Sequence, residues 1–275
     1  MAVADDGAAP AVDAHAHVFT RAMPFAANAH SRPAYDHPVE TWLADLDTHG
    51  IGRGVIAAAS LFDDDNAYTL AALSVHRRLR ATIFAGTDTS AKQLQALADR
   101  GVVGVRLTWR RLGDLPDLAQ EPWRGFLRRL AESGLHVELL AGSAQLPVLL
   151  PQLTDSGAAL VVDHFGVPSR DETERRAGTD ALLRAIGGGR TWVKISAGFR
   201  MPYQIAAECT ERFLAEAGPE RMLWGSDAPF VNHEATMDYA GSLALYRRLV
   251  PDAATRSAID DTALNLFFNL RSPQP

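Results

Sequence analysis

Eight short apolar stretches, each leading into a helix-length amphipathic segment, leave this chain few ways to fold. The stretches run Val12 to His17, Gly54 to Ala59, Ala81 to Ala85, Val102 to Leu107, Leu135 to Ala141, Leu160 to Asp163, Trp192 to Ile195 and Arg221 to Trp224. Helices are expected over Val39 to His49, Asn66 to Leu79, Lys92 to Ala98, Trp123 to Leu130, Leu146 to Leu153, Glu172 to Ile186, Ile205 to Glu216, Ala235 to Leu249 and Ala253 to Leu270. Strands that each feed a helix run parallel, and eight of them over about 250 residues fit a (β/α)8 barrel. A doubly wound open sheet is the rival, but no GxGxxG or Walker loop follows the first strand. The 275 residues therefore read as one barrel domain, residues 1–275, with a flexible N-terminus over Met1 to Pro10. Thr20 to His37, rich in proline and small residues, reads as a long loop of the kind that is functional or disordered. Asp63-Asp64-Asp65 reads as a solvated run with Asp65 capping the helix after it.

Composition narrows the class of function. A net charge of -6 with no block of Lys and Arg argues against a nucleic-acid surface. Cys209 is the one cysteine, so no intrachain disulfide and no thiolate cluster can form. There is no basic-then-apolar leader and no uninterrupted run of 18 apolar residues, so no membrane partner is expected, and the reading is a cytoplasmic enzyme of open oligomeric state.

In a barrel the reactive groups stand at the carboxyl ends of the strands. Those ends carry His15 and His17, Ser60, Arg106, Glu138, His164, Lys194 with Ser196, and Asp227. Regular alternation puts Asp13, His15 and His17 on one face of the first strand, with the imidazoles roughly 6.5–7 Å apart. On the same rule Arg106 opposes Val103, Val105 and Leu107, Lys194 opposes Val193 and Ile195, and His164 opposes Val161, so all three should point inward. Each alone has an ordinary explanation: a hydrogen-bonded core histidine, a structural ion pair, a turn before Pro229 for Asp227. Together they suit hydrolysis, with a carboxylate taking a proton from water while imidazoles or a metal polarise a carbonyl.

Val12-Asp13-Ala14-His15-Ala16-His17-Val18-Phe19, Val162-Asp163-His164-Phe165-Gly166 and Leu223-Trp224-Gly225-Ser226-Asp227-Ala228-Pro229 resemble motifs of the amidohydrolase superfamily. More narrowly they resemble its branch containing 2-pyrone-4,6-dicarboxylate lactonase and related lactonases. The motifs fall in order across nearly the whole chain. The resemblance implies a distorted (β/α)8 barrel with His15, His17, His164 and Asp227 lining the active site. The chain departs from binuclear members: the fourth strand offers Arg106 instead of a bridging carboxylate, and the fifth lacks a terminal histidine. A guanidinium there repels a divalent cation. The expectation is a metal-independent site with no required cofactor. A single zinc on His15, His17 and Asp227, assisted by Glu138 or His164, is the alternative.

Arg106 and Arg200 match strand-end arginines that hold carboxylates in that family, and Arg110 or Arg111 matches a third after a one-residue gap. Bidentate guanidinium pairing orients carboxylates well. Tyr35 and Ser60 correspond to hydroxyl contacts, and Lys194 joins the substrate-binding set. The expected function is opening of a small anionic lactone of the 2-pyrone-4,6-dicarboxylate kind, in aromatic degradation. The rivals are a zinc-dependent hydrolase or nonoxidative decarboxylase on the same fold, and a noncatalytic dicarboxylate-binding protein.

Overall fold

The structure is a computed structural model, and it describes residues 8–27, 29–62 and 65–270. The elements follow in order as β1 (Val12–Ala16), α1 (Val39–Thr48), β2 (Arg53–Ile56), α2 (Ala67–Val75), β3 (Leu79–Ile83), α3 (Ala91–Asp99), β4 (Val102–Thr108) and α4 (Trp123–Glu132). Then come β5 (His136–Leu140), α5 (Leu146–Asp155), β6 (Leu160–Val162), α6 (Glu172–Gly187), β7 (Thr191–Ser196), α7 (Tyr203–Ala217), β8 (Met222–Gly225), α8 (Tyr239–Leu249) and α9 (Ala253–Phe268). The strands lie side by side in sequence order, all parallel. Just past β8, the Asp227 amide donates to the His15 carbonyl and the His17 amide to the Ala228 carbonyl, each at 2.8 Å, drawing the last strand against the first. This is the (β/α)8 barrel that the alternation predicts.

Most element boundaries follow the apolar pattern within two residues, but β2 ends at Ile56 instead of Ala59, and some helix ends move. The helix expected through Leu79 stops at Val75, because His76 is extended and Leu79, buried in the layer between sheet and helices, opens β3. The helix expected from Ala235 starts at Tyr239, where the Asp238 carboxylate accepts from the Gly241 amide at 2.7 Å. The last helix stops at Phe268, where Asn269 takes a left-handed φ of 53°. Of the N-terminal stretch expected to be flexible, residues 1–7 lie outside the described residues, as do Asp63 and Asp64 of the acidic run. Asp65 accepts from the Ala67 amide at 2.9 Å, one residue before the assigned cap Asn66.

Two apolar layers hold the barrel. Outward-facing strand residues such as Val105, Leu139, Val193 and Trp224 pack against the helices. Inside, at the amino end, Val12, Val55, Val161 and Leu223 meet Phe267 of α9, which closes that end. Gly104 faces this interior because the His136 ring occupies the space a side chain would need: an added Cβ would lie 2.6 Å from the ring. Gly104→Ala is therefore expected to lower stability by about 1–3 kcal/mol, read as the midpoint of urea unfolding with an unchanged slope. At the other end the loop over residues 20–37 returns beside β1, with Phe19 paired to His37 and Phe25 stacked on Phe62. No helix among the described residues is long and apolar enough to cross a membrane.

Candidate active site

Two backbone irregularities build the site. Val12 pairs with Arg53 and Asp13 with Gly54, but Ala16 pairs with Ile56, so β1 carries one extra residue between Asp13 and Ala16. A bulge reverses side-chain parity. Asp13 consequently leaves the face expected for it. It turns toward the helices and accepts from Trp42 Nε1 at 3.1 Å, Ser226 Oγ at 2.6 Å and Tyr239 OH at 2.8 Å. His15 and His17 turn inward. A similar extra residue in β4 sends Val103 to the interior cluster, while Val105 and Leu107 pack outward as expected. On β6 the parity expected for His164 fails, since Val161 faces the interior and Asp163 follows it. His164 reaches the cavity because its backbone, with φ 52°, is left-handed. Asp227 does the same with φ 64°. Such conformations are strained for non-glycine residues and cluster at functional sites.

Three imidazoles converge on one carboxylate oxygen. Asp227 Oδ1 lies 3.7 Å from His15 Nε2, 3.5 Å from His17 Nε2 and 3.9 Å from His164 Nε2. Its other oxygen accepts from Arg200 Nε at 2.6 Å, and Arg200 Nη1 donates to the Val231 carbonyl at 2.9 Å. His17 is oriented from behind by Nδ1, 2.9 Å from the Ala57 carbonyl, and His164 by Nδ1, 2.7 Å from Ser196 Oγ. Burial raises the Asp227 carboxyl, but Arg200, His164, the hydrogen bond from His17 and His15 outweigh it, holding the group well below the usual carboxylate range. Burial lowers His164 to about 4, and lowers His15 well below its ordinary value with help from Lys194. The site thus presents an ionised carboxylate beside two neutral imidazoles.

Beneath it lies a layer of four buried charges. Arg106 Nη2 donates to Asp163 Oδ2 at 2.8 Å, Arg106 Nε pairs with Glu138 Oε1 at 3.0 Å, and Arg106 Nη1 donates to the Ala58 carbonyl at 2.5 Å. Lys194 Nζ donates to Glu138 Oε2 at 2.5 Å and lies 3.2 Å from Asp163 Oδ1. Burial raises Glu138, with Asp163 adding to it. Asp163 is held low against its own burial by Lys194 and Arg106.

A cavity of about 510 Å³ opens above. Ser60 lines it as expected, as do His17, His164, Arg200 and Asp227, and Arg106 touches its floor. Arg110 and Arg111 stand exposed at its mouth with no acidic partner among the described residues, and Asp227 is the one acidic residue among those lining the cavity. Three expected members are elsewhere. His15 is fully buried behind Asp227, outside the lining. Lys194 is fully buried below the cavity, because its ammonium balances Glu138 and Asp163. Tyr35 is outside the lining and donates to Glu234 Oε1 at 2.7 Å. Sequence reasoning missed Asp163, although two inward cations demand buried acids. It also missed His30 and His233, which line the cavity from irregular segments with no periodic signal.

The residues test poorly as a metal centre. Among the described residues, the groups whose ligand atoms lie within 4.8 Å of one another are His15, His164, Asp227 and His15, Glu138, Asp163. His17, part of the set expected from sequence, is in neither. A metal-bound imidazole normally backs its other nitrogen against an acceptor. Behind His15 the Asp163 carboxylate, 3.2 Å from Nδ1, shares that nitrogen with the Lys194 ammonium, whose Nζ is nearer at 3.0 Å. The second group is consumed by Arg106 and Lys194.

Buried neutral histidines make the fold acid-sensitive. His37 and His164 are pushed down to about 4 and His136 to about 3, in each case chiefly by burial. The unfolded chain binds their protons near pH 6.5, so stability is full above that value and falls as pH drops toward 4. Each such histidine contributes about 1.4 kcal/mol per pH unit across the window. Urea midpoints measured from pH 7.5 to 4.5 are expected to fall steeply below 6.5, and a flat profile would contradict the buried neutral state.

Known proteins resemble this chain over most of its length. The family model described as "Amidohydrolase" matches residues 12–268. A 4-sulfomuconolactone hydrolase of Rhizobium radiobacter is 29% identical over 90% of this chain and 86% of its own. A 2-pyrone-4,6-dicarboxylate hydrolase of Comamonas testosteroni is 29% identical over 86% of this chain and 82% of its own. A crystal structure from Acinetobacter baumannii, described as a probable 2-pyrone-4,6-dicarboxylic acid hydrolase with citric acid bound, superposes with a TM-score of 0.87 at 28% identity. It covers 94% of this chain and 99% of that one.

Proposed function

The chain belongs to the amidohydrolase family, and on that footing we propose that it hydrolyses a small lactone bearing carboxylates, of the 2-pyrone-4,6-dicarboxylate kind. It is an enzyme of the hydrolase class, as its relatives named for lactone hydrolysis support. The observation that carries the substrate class is the charge of the cavity. Arg110, Arg111 and Arg200 surround a space whose lining contains one acidic residue, Asp227. Guanidinium groups are suited to planar carboxylates, and a positive mouth concentrates anions despite a net charge of -6.

Asp227 is the general base: it accepts a proton from the water whose oxygen attacks the lactone carbonyl. Imidazoles of His17 and His164, which line the cavity beside Asp227 Oδ1, orient the carbonyl and stabilise the oxyanion as it forms, and His15 backs Asp227 from beneath. The ring C–O bond then breaks, and the proton held at Asp227 returns to the departing ring oxygen, giving the open-chain acid. Arg200 serves twice, holding Asp227 in place and offering positive charge to the substrate. No metal or other cofactor is required in this reading.

The test is loss of 2-pyrone-4,6-dicarboxylate absorbance with the purified protein, before and after chelation. Turnover that persists through chelation supports the proposal. Turnover abolished by chelation and restored by zinc would replace it with the metal-dependent rival. Tight binding without turnover, across that lactone and sulfonated muconolactones, would favour the binding protein.

A further inference from the structure

Lys194 is fully buried, touches no part of the cavity, and has no step in the mechanism above. Its surroundings fix the proton on His15, which backs Asp227. An ammonium carries three hydrogens and no lone pair. Lys194 Nζ has three neighbours within reach: Glu138 Oε2 at 2.5 Å, His15 Nδ1 at 3.0 Å and Asp163 Oδ1 at 3.2 Å. Asp163 Oδ1 also lies 3.2 Å from His15 Nδ1, so the two tautomers differ in what meets the ammonium: a lone pair on Nδ1 accepts from Lys194 at 3.0 Å. The opposite tautomer could donate Nδ1–H to Asp163 Oδ1, but it would set that N–H against the ammonium at 3.0 Å and leave one lysine hydrogen without a partner. His15 Nε2 has no hydrogen-bond partner among the described residues and faces Asp227 Oδ1 at 3.7 Å.

We propose that Lys194 is a positioning residue that locks His15 as the Nε2–H tautomer, converting a potential metal ligand into a donor that faces Asp227 Oδ1. What that donor does for catalysis rests on the lactonase reading; the tautomer does not. The lock works against a divalent ion, because binding one at Nε2 needs a lone pair where Lys194 has placed a proton. Glu138 and Asp163 both lie against Lys194 Nζ, and Arg106 pairs with the same two acids from the other side.

The test uses the full chain labelled with 15N-histidine, the His15 signals being those lost in His15→Gln. At neutral pH the expected spectrum has an unprotonated Nδ1 and a protonated Nε2; a protonated Nδ1 overturns the proposal. Zinc alone is then titrated into the parent and Lys194→Met. Without the ammonium, Nδ1–H can donate to Asp163 and free the Nε2 lone pair, so the variant should bind zinc about tenfold or more tightly than the parent. Equal affinity overturns the lock. If Lys194→Met does not fold, the charge-balanced pair Lys194→Met with Glu138→Gln is read in the same way. Failure to open any lactone would remove the lactonase reading while leaving the spectrum to decide the tautomer.

Discussion

Asp227→Asn is expected to reduce kcat on the pyrone dicarboxylate by about 10²–10⁴, the range for loss of a general base. The amide keeps the shape and the contact with Arg200 but cannot take the proton of water. KM should move much less, since Arg110 and Arg111 stand at the cavity mouth away from the change. The variant should stay folded, because an isosteric amide still fills the space between Arg200 and the imidazoles. Stopped or steady-state assays at neutral pH check it, and near-normal turnover would remove Asp227 from the role of base. Since Arg200 and the histidines hold the carboxylate ionised, the parent should show no loss of activity from Asp227 protonation anywhere near neutrality.

Glu138→Ala should be among the most destabilising single changes in the chain. It removes one of two acids from a layer containing Arg106 and Lys194, all of them almost completely buried. Breaking a buried pair from one side leaves a desolvated charge uncompensated and costs about 3–5 kcal/mol. For a chain of this length that is a Tm drop of roughly 6–20 °C. The control is Glu132→Ala, which breaks an exposed pair with Arg128 on α4 at 3.8 Å and should change stability by about 0.5 kcal/mol or less. Equal effects from both would mean that the layer is not held by its charges. Removing both opposed charges, as in Lys194→Met with Glu138→Gln, should be milder than Glu138→Ala, because no lone buried charge remains.

The barrel was legible because its cause is local. Apolar stretches of strand length followed by amphipathic segments can bury their faces only by stacking helices outside a parallel sheet, and that pattern is written residue by residue. Inward placement of Arg106 and Lys194 was legible for the same reason, since β4 past its bulge and β7 keep regular alternation from Gly104 and Trp192 onward. The motifs around His15, His164 and Asp227 marked where the chemistry gathers. What Lys194 does was not legible: it was expected to hold substrate, and its partners lie 56 residues away at Glu138 and 179 away at His15.

Tertiary structure alone decided which side chains face the cavity where the strands are irregular. The bulge in β1 sends Asp13 out and His15 in, and the left-handed backbone at His164 and Asp227 turns both over the site. Counting in twos assumes an unbroken pleat, and a single extra residue inverts it. The charge layer is also a property of closure. Arg106 and Glu138 face each other on paired strands, but Arg106 with Asp163 and Lys194 with Glu138 meet across an intervening strand only once the sheet curls and brings β4, β5, β6 and β7 around one axis. Periodicity reports the face a residue takes within its own strand; it carries no information about which charge another strand will set opposite it.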